Sequence, residues 1–147
     1  MGLAHNVTLR VHSHATEEED RVLQALALLA GDAKPERSLA EGHYKNPIVL
    51  FEVNVEKRAA DKVWERVRAE PAVAQRLLAE AERRTDERGT FYARFDKQRA
   101  FEGTVALTRG DDALHFRSKL AAFPARKGPA VEIVRAFLEG DATSPKA

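Results

Sequence analysis

The first residues of the chain alternate between two kinds of side chain, and this alternation constrains the fold more than any other feature. The odd-numbered positions from Leu3 to Val11 are mostly apolar, whereas Asn6, Thr8, Arg10 and His12 are polar. A period of two is typical of a strand with one buried face. The sequence therefore predicts a sheet that begins with this strand and is covered on one side.

Helical periodicity follows this strand and returns later in the chain. Apolar residues from Val22 to Leu29 recur at helical spacing, and Gly31 stands where a left-handed residue ends many helices. Thr16 and Glu19 have the spacing of a capping box, which predicts helix capping rather than acid–base chemistry for the acidic residues around them. Further helices are predicted over Lys57 to Glu70, over Pro71 to Arg84 and from Gly128 onwards.

Four more stretches alternate or are rich in β-branched residues, as strands are. The polar stretch from Asp32 to Glu41 is expected to be a connection. The predicted architecture is an α+β two-layer sandwich, with a mostly antiparallel sheet and helices packed on one face. The four strands are predicted over Ile48 to Val55, Thr90 to Phe95, Gly103 to Thr108 and Leu114 to Ala121.

The composition limits the class of protein. With 147 residues, of which 44% are hydrophobic, the chain is expected to form one domain over residues 1–139 and a flexible tail over 140–147. The absence of cysteine excludes disulfides and thiolate metal sites. No apolar run reaches the length of a membrane span and no secretory signal begins the chain, so a cytoplasmic location without a membrane partner is expected.

Cationic residues are concentrated late in the sequence, although the whole chain carries a formal charge of only +1. Between Arg88 and Lys127 there are nine Lys and Arg residues against four Asp and Glu residues, a local charge of +5. Strand alternation predicts that many of them form a cationic sheet face, which would suit the phosphates of a nucleic acid. A solvated face without a ligand is the alternative interpretation. The phenylalanines expected in the core of this region are Phe91, Phe95, Phe116 and Phe123.

Three histidines allow a metal site as a further interpretation. His12 and His14 are two residues apart at the end of the first strand, and His43 lies in a loop that begins with Gly42. A first-row metal needs more ligands, and no zinc-binding motif supplies them. We therefore expect His12, Ser13 and His14 to hydrogen-bond the turn between the first strand and the helix, and we predict no metal, cofactor or catalytic set.

Three separated segments of the chain carry a family resemblance. They run from Asn6 to Glu17, from Gly42 to Ile48 and from Phe91 to Gln98, and Gly103, Lys119 and Pro124 follow them. Together they resemble an archaeal RNA-binding family whose members are often labelled predicted exosome subunits. The resemblance implies a fold similar to the ribosomal protein that holds the 5S RNA in the large subunit. It also implies a non-catalytic role in RNA processing or ribosome maturation.

RNA is therefore the expected partner, and strand alternation with local charge indicates the residues that contact it. The predicted phosphate contacts are Arg94, Lys97, Arg117 and Lys119. Tyr92 is predicted to stack on an unpaired base. The margin of this surface consists of Arg10, Arg126 and Lys127.

Two other functions stay open. In the first, the protein is an interaction module whose sheet face or edge strand docks on a partner subunit or on a second copy of the chain. Salt separates this function from RNA binding, because phosphate contacts weaken steeply with ionic strength and strand pairing does not. In the second, His12, His14 and His43 hold a metal for a hydrolase.

Overall fold

The computed structural model describes residues 2–41 and 47–139. These residues form an α+β fold in which six helices pack against a five-stranded sheet. In the same residues no helix is both long enough and apolar enough to cross a membrane. The strands are β1 (Ala4–Ser13), β2 (Glu36–Glu41), β3 (Pro47–Glu56), β4 (Thr90–Asp96) and β5 (Ala113–Leu120). The helices are α1 (Glu19–Ala30), α2 (Lys57–Arg68), α3 (Pro71–Ala79), α4 (Ala81–Arg84), α5 (Lys97–Phe101) and α6 (Lys127–Leu138).

The sheet is open and antiparallel, with the strand order β2-β3-β1-β5-β4. β2 pairs with β3 so that Glu36 lies opposite Glu52. Between β1 and β3 the Thr8 hydroxyl donates to the Asn54 side-chain oxygen at 3.0 Å. The predicted α+β class with a mostly antiparallel sheet is confirmed.

Alternation along each strand decides which side chains enter the core. Val7, Leu9 and Val11 of β1 are buried, as the sequence predicts. In β4 the buried positions are 91, 93 and 95, whereas Tyr92 and Arg94 between them are exposed. We call the side of a strand that is turned away from the core its open face.

Contacts within the chain divide it into two compact units. Unit 1 comprises Met1–Val7, Val55–Ala93 and Arg117–Ala147, and unit 2 comprises Thr8–Asn54 and Arg94–Phe116. The single domain over residues 1–139 stays a prediction. The tail predicted over residues 140–147 lies outside the described residues.

Each unit has its own aromatic contacts. In unit 1 the centroid of the buried Trp64 ring lies 5.1 Å from that of Phe91, and the indole N–H donates to the Ser118 hydroxyl at 2.9 Å. The Ser118 hydroxyl donates in turn to a backbone carbonyl of β1 at 2.8 Å, so the polar atoms of both side chains are paired. In unit 2 the ring centroids of Phe95 and Phe116 are 5.9 Å apart.

Two sequence predictions about strands are wrong. The polar stretch from Asp32 to Glu41 contains strand β2 and is not only a connection. The alternating residues from Gly103 to Thr108 form no strand, because only Leu107 makes a bridge, to Phe95. Helix α5, which the sequence did not predict, precedes this segment.

Two predictions about helix ends also need correction. The capping box is wrong, because α1 begins without a side-chain cap and the Glu17 carboxylate accepts a hydrogen bond from the His14 amide at 2.9 Å. The helix predicted from Pro71 to Arg84 is divided at Glu80 into α3 and α4. Gly31 ends α1 as predicted, with a φ of 66°.

Candidate nucleic-acid interface

The charges of the chain are divided unequally between the two units. Unit 1 contains 15 Lys and Arg residues against 11 Asp and Glu residues, a formal charge of +4. Unit 2 contains 9 against 12, a formal charge of −3. The near-neutral total therefore conceals a cationic unit, and a polyanion is attracted to unit 1 rather than to unit 2.

Five cations of unit 1 belong to elements that meet around one turn, over residues 86–89, which leads into β4. Alternation along β5 buries Ser118 and Leu120 and turns Arg117 and Lys119 to the open face. The Lys119 ammonium donates to the backbone carbonyl of Arg88, which ties β5 to this turn. We call the group the basic corner, and it consists of Arg88, Arg117, Lys119, Arg126 and Lys127.

Gly89 allows the start of α6 to approach the same turn. Its φ is +85°, a conformation that L side chains rarely adopt. A Cβ built at this position would lie 3.4 Å from the Arg126 carbonyl oxygen and 3.4 Å from the Ala130 Cβ. Arg126 and Lys127, at the first turn of α6, therefore lie close to the turn that carries Arg88.

Tyr92 is the aromatic residue on the open face of unit 1. Its side chain is 45% exposed, and its hydroxyl donates to the Asp86 carboxylate at 3.1 Å. Partial burial and this hydrogen bond raise the pKa of Tyr92 above its ordinary value. The hydrogen bond fixes one end of an exposed ring, which suits stacking because little side-chain freedom remains to be lost.

Asp86 lies in the same turn as Arg88, and its oxygens are already bonded. The backbone N–H groups of Thr90 and Arg88 each donate to it at 2.9 Å. Burial raises the pKa of Asp86, but these amides and the Tyr92 hydroxyl lower it by more, so the net shift is downward. Asp86 shapes the turn and holds Tyr92 in place.

The cations of the basic corner differ in their pairing from Arg10 and Arg94, the exposed arginines of unit 2 that the sequence predicts as RNA contacts. In the described part of the chain, none of the five forms a salt bridge. On the open face of unit 2, by contrast, Arg10 lies 3.6 Å from a Glu52 oxygen and Arg94 lies 3.2 Å from an Asp111 oxygen. The positive charge of the basic corner is thus available to a ligand without first breaking an ion pair.

Lys97 corrects the sequence prediction most sharply. The side chain is fully buried, and its ammonium donates to the His12 carbonyl at 2.9 Å and to Glu17 at 2.9 Å. A third acceptor, an Asp112 oxygen, lies 2.6 Å away. The prediction that Lys97 is exposed to a phosphate is wrong, because three acceptors already use its three protons.

The histidines of the metal interpretation have other surroundings. His14 lies 3.4 Å from an Asp112 oxygen, and burial followed by the charge of Arg10 lowers the pKa of His12. Among the described residues no group of three or more His, Asp and Glu side chains is placed to hold a metal ion. His43 lies outside the described residues.

Phe123 was predicted to lie in the core, and this prediction is wrong. Its side chain is 98% exposed, whereas Phe91, Phe95 and Phe116 are buried as predicted. The sequence did contain a signal, because Phe123 follows the end of the alternating strand and stands next to Pro124. Arg88 was not among the predicted RNA contacts, although its neighbour Gly89 marks the turn.

Comparisons with known proteins agree with this interpretation of the charges. The family described as RNA binding matches residues 6–120. The RNA-binding protein PAB1135 of Pyrococcus abyssi is 39% identical over 147 aligned residues, which cover 94% of this chain and 96% of that protein. The protein MJ0213 of Methanocaldococcus jannaschii is 29% identical over 122 residues, 76% of this chain and 81% of that protein.

A solved structure extends the likeness to the fold. Mth689, a DUF54 protein from Methanothermobacter thermautotrophicus, superposes with a TM-score of 0.79 and 34% identity. The alignment covers 92% of this chain and 98% of that one. With a family match over most of its length and relatives above 30% identity, the chain belongs to the archaeal RNA-binding family that includes the DUF54 proteins.

Proposed function

We propose that this protein is a non-catalytic RNA-binding protein that holds the RNA backbone at the basic corner. The observation that carries the proposal is a set of five cations in unit 1 without carboxylate partners among the described residues. Each phosphate bound by Lys or Arg releases condensed counterions, which is the main sequence-independent source of affinity for RNA. Cations that need not leave a carboxylate give this gain at the lowest cost.

Arg117 and Lys119 are the central contacts in this proposal, with Tyr92 beside them. They project from β5, and Tyr92 projects from the neighbouring strand β4. Arg126 and Lys127 extend the contact from the start of α6, where no side chain caps the helix. Uncapped amides at a helix start add positive potential, which favours a phosphate at the same place.

Arg10 and Arg94 are secondary contacts in the proposal. Each is exposed, and each has a carboxylate partner in unit 2 that a phosphate would have to replace. Exposed ion pairs are worth at most about 1 kcal/mol, so the exchange is possible but adds less affinity than an unpaired cation does. Lys97 has no part in this surface.

A pair of matched double variants tests the proposal. The probe is a fluorescein-labelled 16-nucleotide oligouridylate, with fluorescence anisotropy as the readout. Arg117→Gln with Lys119→Gln should raise the Kd by about tenfold or more, whereas Arg10→Gln with Arg94→Gln removes the same charge and should change it less. Equal losses for the two variants, or no loss for the first, would show that the basic corner is not the main contact.

The cellular role that we propose is RNA processing or ribosome maturation, with association with the exosome as the specific form. The resemblance of three segments to the archaeal family supports this role, and family membership supports RNA as the partner. Crosslinking in the native host, followed by sequencing of the bound RNA, tests it. Recovery of ribosomal RNA precursors or of exosome substrates is expected, and recovery of no RNA above the level of an uncrosslinked control would contradict it.

Protein interaction through the sheet edge is a second candidate function, and one observation favours it. β2 is the last strand on its side of the sheet, and its Leu39 is 68% exposed. An edge strand with an exposed apolar residue is a site for strand addition. Ser38→Pro should abolish pairing at this edge while RNA affinity stays unchanged, and co-purification of partners from the native host measures the pairing.

A further inference from the structure

We propose that Phe123 stacks on an unpaired nucleobase of the RNA whose phosphates the basic corner holds. This inference rests on the proposed function and adds a preference for RNA with unpaired bases. The side chain of Phe123 is 98% exposed, and its ring makes no aromatic contact within the described residues. An exposed aromatic ring beside cations is the combination on which unpaired bases stack in proteins that bind single strands.

The backbone on either side of Phe123 is hydrogen-bonded. The Ala121 amide before it donates to the Leu3 carbonyl at 3.0 Å, and Ala122 is buried. After it, the Arg126 amide donates to the Pro124 carbonyl at 2.8 Å. The backbone before the exposed ring is therefore tied to β1, and the backbone after it forms a hydrogen-bonded turn, which limits the ordering that binding a base would require.

The surroundings of the ring decide what covers it. Phe123 lies four residues after Lys119 and three before Arg126, and both cations belong to the basic corner. A second copy of this chain docked through the same patch would bring two cationic corners together, which like-charge repulsion disfavours. RNA has both complements, because phosphates neutralise the cations and every base has a face for the ring.

A comparison of single-stranded and duplex RNA tests the inference separately from the proposed function. The probes are the 16-nucleotide oligouridylate and a 16-base-pair RNA duplex, whose bases are already stacked. Phe123→Ala should raise the Kd for the single strand by about 5- to 150-fold, the range for loss of one stacked base, and leave the Kd for the duplex unchanged. Phe123→Trp should retain the affinity. Because the ring is exposed, neither variant removes a core contact.

The Phe123→Trp variant also reports stacking directly. The native chain has one tryptophan, Trp64, which is buried and bonded to Ser118. The additional emission of the Phe123→Trp variant would have to come from the introduced, exposed indole, and oligouridylate should quench it when a base stacks there. Binding of the oligonucleotide without quenching would overturn the inference.

The remaining outcomes separate this inference from its alternatives. If Phe123→Ala binds the single strand as the native chain does, while Arg117→Gln with Lys119→Gln loses affinity, stacking fails and the proposed function stands. If Phe123→Ala loses affinity for the single strand, while Arg117→Gln with Lys119→Gln retains it in full, the proposed function fails. A blue shift of the Trp emission with vesicles of 30% phosphatidylserine and 70% phosphatidylcholine, or a native dimer that Phe123→Ala dissociates, would overturn the inference in favour of a membrane or a second copy.

Discussion

Single residues show how far strand alternation determines exposure. Lys97 follows Phe91, Ala93 and Phe95 at intervals of two, so the alternation of β4 directs it into the core with them. Its charge suggested an exposed phosphate contact, and its position indicated burial. The position prevails because Glu17, Asp112 and the His12 carbonyl supply an acceptor for each ammonium proton. Glu17 is 80 residues away in the chain, so no local pattern could have shown this pairing.

Removing Lys97 should destabilise the protein. Lys97→Ala leaves the carboxylates of Glu17 and Asp112 without their partner and empties a buried volume, so the free energy of unfolding should fall by about 3 kcal/mol. Arg99→Ala, in the same short helix α5 at an exposed site, should cost less than about 0.5 kcal/mol. Urea denaturation measures both, and a loss below about 1 kcal/mol for Lys97→Ala would contradict the assignment.

His115 should make stability depend on pH. Burial and then the charge of Arg94 lower its pKa below the ordinary 6.5, so the folded protein binds the proton less readily than the unfolded chain. Its contribution to stability is therefore complete above about pH 6.5 and declines as the pH falls through that value. His115→Gln should reduce the loss of stability between pH 7 and pH 5, as thermal melts would show. An unchanged pH profile would contradict this account of His115.

Elements were predictable where an apolar face made them periodic. β4 and β5 bury alternate residues, and β1 does so from Leu9 to Ser13 but also buries Thr8, which the alternation had placed on the polar side. β2 does not, because the edge strand is held by backbone pairing to β3 and needs no apolar face. The segment from Gly103 to Thr108 shows the reverse case. Its alternation suggested a strand, yet its backbone bonds to β4 come only from Ala106, which accepts, and Thr108, which donates.

Glycine positions at element ends give a prediction with a built-in control. Gly89 and Gly103 have φ of +85° and +84°, so Gly89→Ala and Gly103→Ala should each lower the free energy of unfolding by about 1–2 kcal/mol. Gly128, in the first turn of α6, has no such φ, and apart from its chain neighbours an added Cβ would meet nothing within 4 Å, so Gly128→Ala should change it by no more than about 0.5 kcal/mol. Denaturant midpoints of the three variants check the signs. A stabilised Gly89→Ala would contradict the assigned turn.

For the whole molecule, the sequence predicted where cations are dense but not which of them are unpaired. The window from Arg88 to Lys127 includes Arg94 and Lys97, whose partners are known only from the fold. Once the chain is folded, the charge separates into +4 for unit 1 and −3 for unit 2. Pairing removes most of the exposed candidates in unit 2 and leaves the basic corner.

The salt dependence of RNA affinity tests this central claim most directly. The slope of log Kd against log salt concentration, measured with the 16-nucleotide oligouridylate, counts the phosphates that cations neutralise. For Arg117→Gln with Lys119→Gln the slope should be smaller than that of the native chain by about 1.4, which corresponds to two contacts on a single strand. For Arg10→Gln with Arg94→Gln it should change by less. A native slope near zero, or an unchanged slope in the first variant, would contradict the claim that the basic corner binds the RNA backbone.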